Sequence, residues 1–211
     1  MASLPTLATE LLDCWFADAM QSHATARQRL DLWFGHFPDF DRELTTRFER
    51  LPDRALAGEF EAWRAHPRGA LALLIALDQL PRNLFRGTAR AYACDAAAQA
   101  VAVQAIAAGH ADVVHPVEVP FFYLPFEHAE DLALQQRCVA GYEDHLARAP
   151  DEFAFVLRDF VGAGREHLEI VERFGRFPHR NPILGRESTP AELAYLHNGG
   201  KHFGQQVVAK A

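Results

Sequence analysis

The sequence offers little to staple a fold covalently. It has three cysteines, Cys14, Cys94 and Cys138, far apart and odd in number, and no Cys-x-x-Cys pair. That argues against a disulfide framework and makes a reducing cytoplasm the expected home. The N-terminus lacks a basic region followed by an apolar run, so no signal peptide is expected. The longest strictly apolar run, Ala70 to Leu77, is far short of the ~18 residues a membrane span needs. No membrane association is expected. Basic residues are outnumbered, and the net charge of −7 argues against a nucleic-acid binder. Strand-like alternation is missing throughout, as is any exact repeat of the ~34-residue tetratricopeptide kind. There is no Walker loop, Gly-x-Gly-x-x-Gly, Gly-x-Ser-x-Gly or catalytic-cysteine pattern.

What the sequence does have is helical periodicity. Its 211 residues, 49% apolar and 23% charged, suit a single globular domain spanning 1–211. The final ~10 residues read as a loose tail, since termini stay mobile unless tied down. Leu4, Leu7, Leu11, Leu12, Trp15 and Phe16 recur at helical spacing and predict a helix over 5–17. A second helix begins around Thr25 and carries Leu30, Trp33 and Phe34. Asp41 reads as an N-cap for a helix holding Leu44, Phe48 and Leu51. Another helix is expected between Asp53 and Trp63. The segment from Pro67 to Leu80 is apolar all round and predicts a central buried helix, which Pro81 should close.

Asp95 reads as the cap of an alanine-rich helix ending at Gly109. His115-Pro116 and Val119-Pro120 predict an irregular connection, followed by the aromatics Phe121 to Tyr123. Long helices should run from about Glu127 to Ala147, and from Pro150 to about Phe174, where Gly175 stops the second. Thr189-Pro-Ala-Glu192 is a capping box that opens a last helix, ended by Asn198-Gly-Gly200. The expected fold is all-α, built from antiparallel helix pairs, with about nine helices.

Three polar stretches stand out. Arg173-Phe-Gly-Arg-Phe-Pro-His-Arg-Asn-Pro-Ile-Leu-Gly-Arg186 places four arginines among aromatics and turn residues. Leu77-Asp-Gln-Leu-Pro-Arg-Asn-Leu-Phe-Arg-Gly87 echoes it, and Leu124-Pro-Phe-Glu-His-Ala-Glu-Asp131 shares the apolar-Pro opening before a run of acids. Mixed charge and aromatic character points to partly buried polar turns that meet in space. Guanidinium groups recognise carboxylates and phosphates through paired hydrogen bonds. The plain structural alternative is that the arginines neutralise Asp78 and the acids at 127–131.

Asp78, at the end of the apolar helix, needs a partner, with Arg82 four residues on. Glu127 and Asp131 would share one face of the long helix, where acids also offset its dipole. His167 lies on an apolar face with Phe160, Gly164, Val171 and Phe174. Gly162 and Gly164 suggest a close approach there. His128, His167 and His179, with Glu127 or Glu130, lack metal-ligand spacing, so no metal and no cofactor is expected.

The same stretches resemble the signature of the bacterial "domain of unknown function 924" family. The matching residues are those at 77–87, 124–131 and 173–181, continuing to Leu184-Gly-Arg186, with Trp15-Phe16 near the start. Ala129 departs from the serine of the family's Glu-His-Ser-Glu pattern, which counts against a serine nucleophile there. The resemblance implies a tetratricopeptide-like, right-handed helical superfold. It carries no activity, so the site assignment rests on residue chemistry.

The residues point to a pocket that binds, and as an extension turns over, a small anionic metabolite. The expected ligand contacts are Arg82, Asn83, Arg86, Arg173, Arg176, Arg180, Asn181, Asp78 and His128. The acid–base candidates are His179, His167 and Glu127. The competing reading is a protein- or peptide-interaction module presented by paired helices. An exposed groove across several helices would favour that reading, and one compact pocket would favour the metabolite.

Overall fold

Residues 4–203 are described by a computed structural model; the expected loose tail lies, from residue 204 on, outside them. Within these bounds the chain is all helical, with no strand. The first helix, α1 (Thr6–Phe16), buries Leu11, Leu12, Trp15 and Phe16, the face its periodicity predicts. Next, α2 (His23–Phe34) opens on a reciprocal box between Ser22 and Thr25. In α3 (Pro38–Phe48) the first turn starts earlier than expected, so Asp41 lies inside it and Phe37 takes the cap position. The helix expected between Asp53 and Trp63 is two pieces, α4 (Leu51–Leu56) and a 3₁₀ turn Glu61–Ala65. Gly58, at φ +83°, breaks them apart.

The central helix, α5, runs over 67–84 as Pro67–Leu74, a π-turn Ile75–Gln79 and Leu80–Leu84. Pro81 does not close it. Proline lacks an N–H and is tolerated where the ladder is already interrupted, and the π-turn supplies that interruption. Every residue from Gly69 to Leu80 is buried, and each large apolar side chain there contributes roughly 1.5–3 kcal/mol.

The alanine-rich α6 (Asp95–Ala107) has Cys94, not Asp95, at its cap. Its chain then passes through Gly109 in the left-handed conformation. The stretch expected to be irregular holds a helix, α7 (Pro120–Glu127), buried along its whole length. An opening proline, the internal Pro125 and an aromatic run hide its periodicity. As a result Glu127 ends α7, and α8 (Leu132–Arg148) starts only after Asp131, whose side chain caps it. Glu127 and Asp131 therefore do not share a helix.

Two residues link α8 to α9 (Asp151–Phe174), and the pair forms a hairpin. Gly175, at φ +69°, stops α9. A Cβ at Gly164 would stand 3.3 Å from the Tyr142 ring, so α8 does press close there, whereas Gly162 meets nothing within 4 Å. Finally α10 (Pro190–His197) opens on the expected capping box of Thr189 and Glu192. The described residues thus hold ten α-helices against about nine expected.

One apolar cluster runs from Ala8 to Val161. At one end Trp15 stacks on Trp33 at 6.2 Å and Phe121 meets Trp33 edge-on at 4.9 Å, tying α1, α2 and α7 together. At the other, Tyr142 lies against Tyr123 at 5.6 Å and Phe160 at 5.5 Å, joining α7, α8 and α9. No helix among the described residues is long and apolar enough to cross a membrane.

Candidate active site

The π-turn of α5 sets the site. It turns Asp78 and Gln79 into the interior, and Asp78 is only 1% exposed. A buried carboxylate requires donors on every side, and Asp78 has them. His128 Nδ1 stands 2.8 and 3.0 Å from its two oxygens, and Gln79 Nε2 donates at 2.5 Å. Arg82 approaches to 3.4 Å. Burial alone would raise the Asp78 carboxyl. Arg82, His128 and Gln79 outweigh it and hold the group at about 2.

An ionised carboxylate only accepts hydrogen bonds, so His128 must carry its proton on Nδ1. That leaves the Nε2 lone pair, for which the described residues provide no hydrogen-bond partner. Burial, reinforced by Arg82, lowers the His128 pKa and keeps the ring neutral.

Beside this pair sits a second. His167, on α9, donates through Nδ1 to the Ala163 carbonyl at 2.8 Å and lies 3.3 Å from Glu127 Oε1. Burial lowers His167 to about 3. It raises Glu127 to about 8, against some relief from the Tyr142 hydroxyl. Glu127 is therefore a neutral carboxylic acid at pH 7. Its Oε2 has no well-formed hydrogen bond. The His128 and His167 rings are 6.3 Å apart, so two carboxyl–imidazole pairs lie side by side.

Both pairs open on one cavity of about 460 Å³. Arg82, Asn83, Arg86, Glu127, His128 and His167, all read from the sequence, line it. An apolar wall of Leu30, Trp33, Phe34, Leu124, Phe160 and Phe203 faces them. Phe203 stacks on the His167 ring at 3.8 Å and 22°. Arg82 is saturated: it forks onto Asp95 at 2.9 and 3.1 Å and donates to the Asp78 carbonyl at 2.8 Å. Arg86 is not saturated. Among the described residues its ion pair is with Asp41, 3.4 Å long, and its buried Nε has no partner.

The arginine-rich third stretch is placed differently. It does meet the other two: Glu130 accepts from Arg186 at 2.5 and 2.8 Å and from the Phe177 N–H at 2.8 Å. Arg173, Arg176, His179, Arg180 and Asn181 do not line the cavity. Arg176 forks onto Glu192 at 2.7 and 2.9 Å and donates to the Glu187 carbonyl. Asn181 bridges Ser188 and Arg186 at 3.0 Å each. Arg180 lies buried between the rings of Tyr92 and Phe177, 3.6 Å from Asp95. Burial, with Arg82 nearby, lowers its pKa. Arg173 is exposed and spans Phe174 and Tyr195. His179 is buried beside Phe177 and Phe203, and burial holds it at about 3.

Gln79, Asp95 and Phe203 were missed from the sequence. The echo between stretches could have flagged Gln79, which follows Asp78 within the second one. Asp95 was read only as a helix cap, and Phe203 carried no local signal. Among the described residues no three His, Cys, Asp or Glu side chains converge as a metal-holding group.

A family profile described as bacterial protein of unknown function (DUF924) matches residues 11–200. A solved structure of a protein of unknown function from Agrobacterium tumefaciens is 39% identical and matches with a TM-score of 0.76. The match covers 92% of this chain and 98% of that one. No curated protein matches.

Proposed function

The chain belongs to this bacterial DUF924 family, and from that premise we propose that its cavity binds a small metabolite with one anionic group and an apolar body. The observation that carries the reading is the cavity itself. It is about 460 Å³, within the usual range for small-molecule sites, and it sets a few convergent polar groups against an aromatic wall. Arg86, with its weak ion pair and unpartnered Nε, is the cavity-lining arginine with capacity left for an anion. Trp33, Phe34 and Phe160 would cover the apolar part. Arg176, Arg180, Arg173 and Asn181 leave this proposal, because they do not line the cavity.

The same proposal carries the finer expectations about the chain. Free Cys14, Cys94 and Cys138 suit a cytoplasmic location. The α8–α9 hairpin is the kind of unit from which a tetratricopeptide-like arrangement is built. The continuous core from Ala8 to Val161 favours a single domain.

A thermal-shift screen of phosphorylated and carboxylate metabolites tests the reading. A binder should raise the melting temperature of the wild type. Arg86→Ala should abolish that rise while leaving the ligand-free melting temperature within a few degrees. If no compound shifts the protein, or if the shift survives in both Arg86→Ala and His128→Ala, the cavity is not the binding site.

A further inference from the structure

If the cavity binds such a metabolite, its lining side chains also bear on what happens to the occupant. Its lining contains no Ser, Thr, Cys or Lys among the described residues. Hydroxyl, thiol and Schiff-base nucleophiles are therefore missing from it. Of the groups lining it that can move a proton, Glu127 and His128 stand on consecutive residues at the end of α7. His128 is aligned by two contacts from one carboxylate, lines the cavity, and has no hydrogen-bond partner for its Nε2 among the described residues. Glu127 lies against His167 and Tyr142 and lines the same cavity.

We propose that His128, oriented by Asp78, removes a proton from the carbon beside the carbonyl of a small 2-oxo carboxylate, while Glu127 gives a proton to the carbonyl oxygen. Each part of that substrate has a place. The carboxylate meets Arg86, the ketone oxygen meets Glu127, the acidic C–H meets His128, and an alkyl tail lies along Leu124 and Phe160. His128 Nε2 takes the proton. The C–H electron pair becomes the new C=C bond, and the carbonyl π pair moves onto oxygen, which takes the Glu127 proton. The enol returns to the ketone by the reverse transfers, on the same carbon. Nothing is oxidised or reduced, and no other reactant is consumed.

The pairing suits the task because a general acid and a general base work best when both hold the right protonation state near the operating pH. Glu127 stays protonated at pH 7 through burial, and His128 stays unprotonated beside it. Asp78 is a positioning residue. It touches no substrate and fixes which His128 nitrogen is free.

The probe is 2-oxobutanoate in deuterium oxide, with loss of its C3 proton signal followed by NMR and its binding followed by thermal shift. The wild-type chain should exchange C3 at least tenfold faster than buffer. His128→Ala and Glu127→Gln should each reduce the rate to that of buffer while 2-oxobutanoate still shifts the melting temperature. Asp78→Asn should slow exchange and also change the His128 ring ¹⁵N signals, reporting the other tautomer. Melting-temperature shift without exchange, or exchange that persists in His128→Ala, overturns the proton-transfer inference and leaves the binding proposal standing. If 2-oxobutanoate gives no shift while another screened anion does, the 2-oxo substrate class is wrong. If the entire screen gives no shift, the binding reading fails first.

Discussion

Glu127→Gln should make this protein more stable, by an amount that depends on pH. The carboxyl ends α7 against Tyr142, Cys138 and His167, and burial raises it from 4.5 to about 8. The unfolded chain gives up this proton near 4.5, and the folded chain keeps it until about 8. Holding a neutral acid therefore costs nothing below pH 4.5. The cost grows through the interval and levels off above about 8. Taken over that interval it is about 3 kcal/mol at pH 7 and about 5 kcal/mol at pH 9. Glutamine keeps the shape and the acceptor oxygen facing His167 but has no charge to suppress. The variant should gain up to ~3 kcal/mol at pH 7, or roughly 6–12 °C in melting temperature for a chain of this size. It should gain nothing at pH 4.5 and most at pH 9. Calorimetric melts of both proteins at the three pH values measure this directly. A difference that is the same at every pH, or a loss at pH 7, would show that burial does not hold Glu127 protonated. A gain in stability at the cost of function is what a strained polar site should give.

Three further outcomes follow. Asp78→Asn should cost roughly 2–3 kcal/mol at pH 7, because a carboxyl held at about 2 instead of 3.8 stabilises the fold only while it is ionised; the deficit should fade as pH drops from about 4 to 2, in urea melts across that range. Gly141→Ala should cost roughly 1–3 kcal/mol by overpacking, since its Cβ would stand 2.1 Å from the Tyr123 ring; an unchanged urea midpoint would refute the close approach of α7 and α8. Arg176→Ala should speed amide exchange around Thr189–Glu192, where its guanidinium holds the cap, and leave ligand-induced stabilisation intact.

The sequence was most readable where a local rule acts alone. Apolar spacing gave α1, the αL glycine gave the end of α9, and the Thr189–Glu192 box gave the start of α10. It was least readable where tertiary packing overrides the local signal. Helix α7 contains Pro125 and is apolar on all sides, so no stripe marks it. Missing it misplaced Glu127 by a whole helix. Pro81 reads as a terminator, and only the preceding π-turn makes it an internal residue.

The candidate site shows the same division. Asp78 called for a buried partner on physical grounds, and Arg82 is one. That the decisive partner is His128, fifty residues away in sequence, depends on how α5 and α7 pack. The arginines of 173–186 were over-read for a related reason. Composition reports that charge is present, and only geometry reports that Glu192, Glu130 and Asp95 already occupy it.

The π-turn in α5 has an evolutionary side. Such a turn forms when a helix takes in one extra residue and absorbs it locally, leaving both flanks in their old register. Deleting one residue within 75–79 should therefore restore a plain helix and leave the scaffold upright. Deleting one residue elsewhere in α5 would swing everything beyond it by about 100°. Fold and site are thus separable at this point. A relative with one residue fewer across this turn would keep the architecture and lose the inward placement of Asp78, and with it the anchor of His128. Counting residues through that turn, in any chain of this shape, distinguishes members that retain the site from those that retain only its frame.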